Sequence, residues 1–177
     1  MNGLVSKVIG LWQGADGQLA EVVYEGDDSQ GGIERWRAVD SLKAPCIRLR
    51  TRIELNDGRR VTLAIDEIAH ILPDRTGVLV LFSNRRRPLD ASDDLVHFAL
   101  PDNAAVFNAD GSLRFRLKNP AGKDGDFRAV VSLSLADGTR GVGVRACPKD
   151  WPSCEDVYVV DGSTDDLSRQ IPRWVRD

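Results

Sequence analysis

The chain has 177 residues, 42% of them apolar and 29% charged, with a net charge of −3. That length fits one domain or two small ones, and the apolar content is too high for a disordered chain. The acidic balance weighs against a protein built to grip nucleic acid or an anionic membrane surface, and the longest apolar run, Val78 to Phe82, is far short of the ~20 residues of a membrane span.

The N-terminal stretch around Lys7 is too short and broken for a signal-peptide core. Three cysteines, an odd number, fit a reducing compartment better than a disulfide framework. The expectation from both is a cytoplasmic protein.

Asp-Gly steps punctuate the chain at Asp16, Asp57, Asp110, Asp124, Asp137 and Asp161, and each marks a tight turn because glycine accepts positive φ. At Asp16 a two-residue loop pairs Leu11 with Val22 and Ile9 with Tyr24. Next, Ile33, Trp36 and Val39 share a helical face, although Arg35-Trp36-Arg37 reads equally well as strand.

From Ile47 to Leu55 apolar residues alternate with Arg48, Arg50, Arg52 and Glu54, as they must on a strand with one wet face. A three-residue loop, Asn56-Asp57-Gly58, then aligns the apolar stripes. It pairs Ile53 with Val61, Thr51 with Leu63 and Leu49 with Ile65, and sets Glu54 against Arg60.

Asp66 to Leu72 reads as a turn or two of helix stopped by Pro73, and Val78 to Phe82 as a strand buried on both faces. The polar stretch from Ser83 to Asp94, with Arg85-Arg86-Arg87, reads as a linker or long loop. It divides the chain into an N-terminal β module, residues 1–90, and a C-terminal one, residues 91–177, unless the two form one continuous domain.

Farther on, a three-residue loop at Asp110 pairs Phe107 with Leu113 and Ala105 with Phe115. A two-residue loop at Asp137 pairs Leu133 with Val142, Val131 with Val144 and Ala129 with Ala146. Val157 to Val160 is a further strand, and Ser163-x-x-Asp166 resembles a helix capping box. The fold class is therefore mainly β. Antiparallel hairpins form a meander packed as a sandwich or partly open barrel, with one or two short helices.

Chemistry is harder to find. His70 and His97 stand alone, with no zinc-type spacing around them. No nucleophile elbow, phosphate-cradling loop or dinucleotide fingerprint is present. The segment from Asp161 lacks the glycine and the bidentate Glu of a calcium loop. Arg85-Arg86-Arg87 reads as a solvated loop, and the acidic pairs as turn and cap residues. The expectation is no catalytic residue, no metal and no cofactor.

Cys147 and Cys154 are expected to be reduced, with a loop-closing disulfide as the alternative. Between them stands Trp151, flanked by Pro148 and Pro152 and by Asp150, Glu155 and Asp156. These four, Trp151, Asp150, Glu155 and Asp156, form the candidate binding site: an aromatic anchor on a stiff loop, ringed by carboxylates. The competing role for Trp151 is a lid over one end of the core.

The functional expectation is a non-catalytic module that binds another protein, perhaps a basic one, such as an acidic inhibitor or immunity-type protein, with no nucleic-acid or membrane partner. Two alternatives stand beside it. An enzyme with a site assembled from scattered Asp, Glu, Arg and His would show a concave pocket with perturbed carboxylates. A structural component of an assembly would show long bare edge strands and an exposed apolar patch.

Overall fold

One local structure, used repeatedly, sets the sheets. In the computed structural model, which describes residues 3–26, 32–83, 94–135, 137–148, 156–167 and 170–171, four Asp-Gly steps close hairpins in the same way. The glycines Gly17, Gly58, Gly111 and Gly138 take φ between 80° and 86°. Each donates its N–H three residues back, to the carbonyls of Gly14, Leu55, Asn108 and Leu135. In each hairpin the aspartate carboxylate accepts the N–H two residues on, as Asp57 does from Arg59 at 3.0 Å. This is a three-residue loop with a left-handed glycine, and the carboxylate fixes it.

The first pair is β1 (Val5–Gln13) with β2 (Leu19–Glu25), followed by helix α1 (Gly32–Asp40), then β3 (Ile47–Leu55) with β4 (Arg60–Leu63). Of the two readings of the Ile33–Val39 stretch, helix is the one adopted. These four strands form one antiparallel sheet in the order β2-β1-β3-β4. The hairpin at Gly58 has the expected register: Ile53 faces Val61, Thr51 faces Leu63 and Glu54 faces Arg60. Ile65 lies beyond the end of β4, and its carbonyl accepts the Thr51 N–H.

Three other registers differ from expectation, the first of them that of β1 with β2. Leu11 lies opposite Glu21 and Gly10 opposite Val22, because the turn at Asp16 also has three residues. A bulge between Val8 and Ile9 shifts the ladder again.

The second sheet, β5-β6-β7-β8, is a plain meander of β5 (Ala69–Ile71), β6 (Gly77–Leu81), β7 (Ala104–Asn108) and β8 (Leu113–Arg116). Residues 69–71 are strand, not the helix expected over Asp66–Leu72. Ala69 and Ile71 pack on one core, while Leu72 belongs to another, a period of two. Phe107 pairs with Leu113 as expected, but a bulge puts Arg116, not Phe115, opposite Ala105.

The third sheet, β12-β11-β10-β9, runs back through β9 (Gly125–Ser134), β10 (Arg140–Pro148), β11 (Val157–Val160) and β12 (Gln170–Ile171). Here Val142 faces Ser132 and Val144 faces Val130, one residue off the expected pairing, again because the Asp137 loop has three residues. Ser163 caps no helix: its N–H donates to the Asp161 carboxylate at 2.8 Å.

The sheets are open and stack in three layers. Val78, Val80, Ala105 and Phe107 of the middle sheet meet Val5, Val8, Ile53, Leu55 and Leu63 of the first. From the opposite face, Leu79, Ala104 and Val106 meet Phe127, Val142, Val144 and Val160 of the third. Buried on both faces, the middle strands read as continuous apolar runs, and each fully buried Val or Leu contributes ~1.5–3 kcal/mol. The middle sheet takes two strands from each side of residue 90, paired through β6 and β7.

Polar side chains tie the layers together. Asn103, buried between the second and third sheets, donates to the carbonyls of Phe82 at 2.8 Å and Phe127 at 3.0 Å and accepts the Phe127 N–H at 2.9 Å. Arg114 donates to Asn108, Thr76 and the Gly162 carbonyl. Cys147 is fully buried and disulfide-bonded, not the reduced thiol expected; Cys154 lies outside the described residues. No helix among the described residues is long and apolar enough to cross a membrane.

Candidate functional site

Among the described residues, a pair of clefts between the sheets share one residue, His70. Because Ala69 and Ile71 turn to the first core, His70 points to the opposite side of edge strand β5.

The first cleft, about 740 Å³, lies between the end of β2, strand β5 with its turn, and strands β9 and β10. Glu25 reaches across from β2, and its Oε2 accepts the Ile71 N–H at 3.0 Å, capping the bare edge of β5. The same oxygen is 3.8 Å from His70 Nδ1, too far for a hydrogen bond. Burial pushes the Glu25 carboxyl above its ordinary range, partly opposed by the Ile71 hydrogen bond and the Arg75 charge. Burial pushes the His70 imidazole below its ordinary range. Both groups are driven toward their uncharged forms by the same partial desolvation.

Arg75 sits in the β5–β6 turn with φ 57°, a non-glycine residue in the left-handed region. The turn repeats the carboxylate device of the hairpins, with Asp74 accepting the Thr76 N–H at 3.0 Å. An arginine holding a conformation that glycine would hold without strain costs ~1 kcal/mol. Arg140 and Arg145 complete the basic lining, and Ser132 and Ser134 stand beside them.

The second cleft, about 1060 Å³, opens between the first and third sheets. Trp12 and Arg48 line its first-sheet wall and stack with Tyr24. Arg48 lies 5.0 Å from the Trp12 ring centroid and 5.2 Å from that of Tyr24, and it donates to the Asp66 carbonyl at 3.1 Å. Trp12 Nε1 donates to the Tyr24 hydroxyl at 2.9 Å. From α1, Arg35 also lies over Tyr24, at 5.2 Å. Gly10 makes room for this: a Cβ there would sit 2.4 Å from the Tyr24 ring. A strand glycine commonly marks such a close approach.

Ile47 and Leu100 line the cleft and are exposed, at 44% and 37%. Asp66, Glu67 and Asp126 supply carboxylates. Glu67 accepts both the N–H and the hydroxyl of Ser83, and Asp126 pairs with Arg128 at 2.9 Å. His97, also in this cleft, is exposed and meets Phe82 edge to face at 5.7 Å.

Of the residues proposed from sequence, Asp150, Trp151 and Glu155 lie outside the described residues, as do Arg85, Arg86 and Arg87. Asp156 is half-buried, its carbonyl accepting the Ala146 N–H at 3.3 Å. After burial, its carboxylate is the second cause pushing the Tyr158 phenol up.

Sequence reasoning missed Glu25, Trp12, Arg48 and Arg145, which come together only in three dimensions. Gly10 was the one local signal. Among the described residues no three His, Cys, Asp or Glu side chains cluster as metal ligands. Compared with known proteins, the chain matches no family model, no curated protein and no solved structure.

Proposed function

We propose that the protein is a binding module that takes a segment of another protein into the second cleft, without catalysis. The observation that carries this reading is the Trp12–Arg48–Tyr24 stack beside exposed Ile47 and Leu100. An aromatic fixed in place before binding loses little entropy on docking, and apolar residues around it exclude water from the contact.

The strand that leads into the loop proposed from sequence, β10, ends beside this face. Pro148, before that loop, lies opposite Gly125, and Cys147 lies opposite Asp126 of the cleft. Asp150, Trp151, Glu155 and Asp156 then form a second contact of the same partner. The net charge of −3 and the cleft carboxylates favour a basic partner, as an inhibitor or immunity-type protein would have, because complementary charge speeds encounter. The disulfide at Cys147 supports an oxidising compartment over the cytoplasm.

The test is affinity capture of a stoichiometric partner, followed by titration of the purified pair. Ile47→Asp with Leu100→Asp should weaken binding by about 2 kcal/mol or more and leave the melting temperature in place, since both side chains are exposed. An affinity unchanged by the double substitution would remove the second cleft from the interface.

A second reading, an enzyme, has one specific observation in its favour: Glu25 and His70 share a cleft with both proton affinities shifted. Turnover of a small molecule that stops with His70→Gln would replace the binding reading.

A further inference from the structure

We propose that the first cleft is a binding site for a small organic oxyanion, a carboxylate or phosphate carried on an apolar body. This site is separate from the protein-binding reading and does not depend on it.

The strongest pointer is Arg145. Its Nε is shielded from solvent and, among the described residues, has no hydrogen-bond acceptor, and its guanidinium makes no ion pair there. Three other guanidinium groups are matched: Arg114 donates to four acceptors, and Arg52 and Arg60 share Glu21. Two other arginines, Arg35 and Arg48, also have an unmatched Nε, but both lie against aromatic rings. Arg145 has no ring.

A shielded donor without an acceptor is unfavourable unless something supplies one. The backbone is arranged around it: the ladder between β9 and β10 is interrupted by a bulge between Arg145 and Ala146, and bulges re-aim side chains.

The charge of the cleft agrees. Among the described residues Arg75, Arg140 and Arg145 line it against one carboxylate, Glu25, whose Oε2 is already engaged by the Ile71 N–H. The Arg140 side chain, like that of Arg145, has no hydrogen bond or ion pair among the described residues. Paired guanidinium forks match the geometry of carboxylate and phosphate oxygens. Arg75 holds its left-handed conformation in the same cleft, and backbone strain of this kind gathers at binding sites.

The remainder of the lining gives the body of the ligand. Ile71, Leu133, Val142 and Val157 are apolar, and a cleft of about 740 Å³ has the size of a small-molecule site.

The full chain is titrated with octanoate, octyl phosphate, octanol and inorganic phosphate, following backbone amide shifts and the melting temperature. Octanoate or octyl phosphate should saturate with shifts centred on Ile71, Leu133 and Val157, and the tighter of the two identifies the head group. Octanol and inorganic phosphate should each bind at least tenfold more weakly.

Arg145→Gln should weaken the anion at least tenfold without lowering the melting temperature, and Arg140→Gln should weaken it in the same direction. The proposal is overturned if neither amphipathic anion saturates at millimolar concentration. Equal binding of octanol, or of inorganic phosphate, would overturn it too, as would an affinity that neither arginine substitution changes.

Discussion

Gly58 and Gly111 occupy the same position in two copies of one turn, with φ of 81° and 86°, yet their surroundings differ. A Cβ on Gly58 would meet nothing within 4 Å, whereas one on Gly111 would sit 2.9 Å from Val61 Cγ1. Gly58→Ala therefore isolates the conformational cost of a side chain in the left-handed region, about 1 kcal/mol. Gly111→Ala adds a steric cost and should lose more. Urea denaturation of the two variants measures both, and equal losses would contradict the argument. The same turn governs its aspartates. The Arg59 N–H, then the Arg59 side chain, holds the Asp57 carboxyl below its ordinary range, and the Ser112 hydroxyl and N–H do so for Asp110.

At the scale of elements, Asn103 shows how much one polar side chain holds together. It satisfies the Phe127 N–H and the carbonyls of Phe82 and Phe127 while buried. Asn103→Ala leaves those groups without partners and should cost about 2–3 kcal/mol. Amide exchange of Phe127 should accelerate correspondingly; an unchanged rate would mean that the contact is incidental.

Registers were legible where one face of a strand is wet. In β3 the charged stripe of Arg52 and Glu54 left a single alignment with β4. In β9 and β10 apolar residues occupy both faces, with Val130, Val131 and Leu133 in sequence, so two registers one residue apart look alike. The choice between them lies in the turn, where the aspartate carboxylate and the left-handed glycine demand three residues. Asp16 and Asp137 carry the same signature as Asp57, and that signature, not the stripes, gives their registers.

For the whole molecule, the deciding feature is a middle sheet that faces two cores. Dividing the chain near residue 90 would separate β6 from β7 and leave the Leu79 face of β6 without Phe127, Val142 and Val144. Residues 1–90 and 91–177 made separately should each lack a cooperative melt, while the full chain unfolds in one transition. A cooperative melt from residues 1–90 alone would show that the first core is self-sufficient. This architecture also explains why the sites escaped sequence reading. Glu25, His70 and Arg145 are far apart in the chain and meet only because three sheets stack, so no spacing records them. Mainly β composition and the hairpins are local properties, and those were legible.

The repeated Asp-Gly turn also bears on how the protein ages. Among aspartyl steps Asp-Gly is the most prone to rearrange through a cyclic imide, which forms when the glycine nitrogen attacks the aspartate side-chain carbon. In the hairpins that nitrogen is committed to a carbonyl three residues back, and the carboxylate is held by the N–H two residues on. Neither partner is free to approach the other. Folding thus shelters these turns from isomerisation, and the chain is chemically most vulnerable while it is unfolded, when those sites lose their protection together.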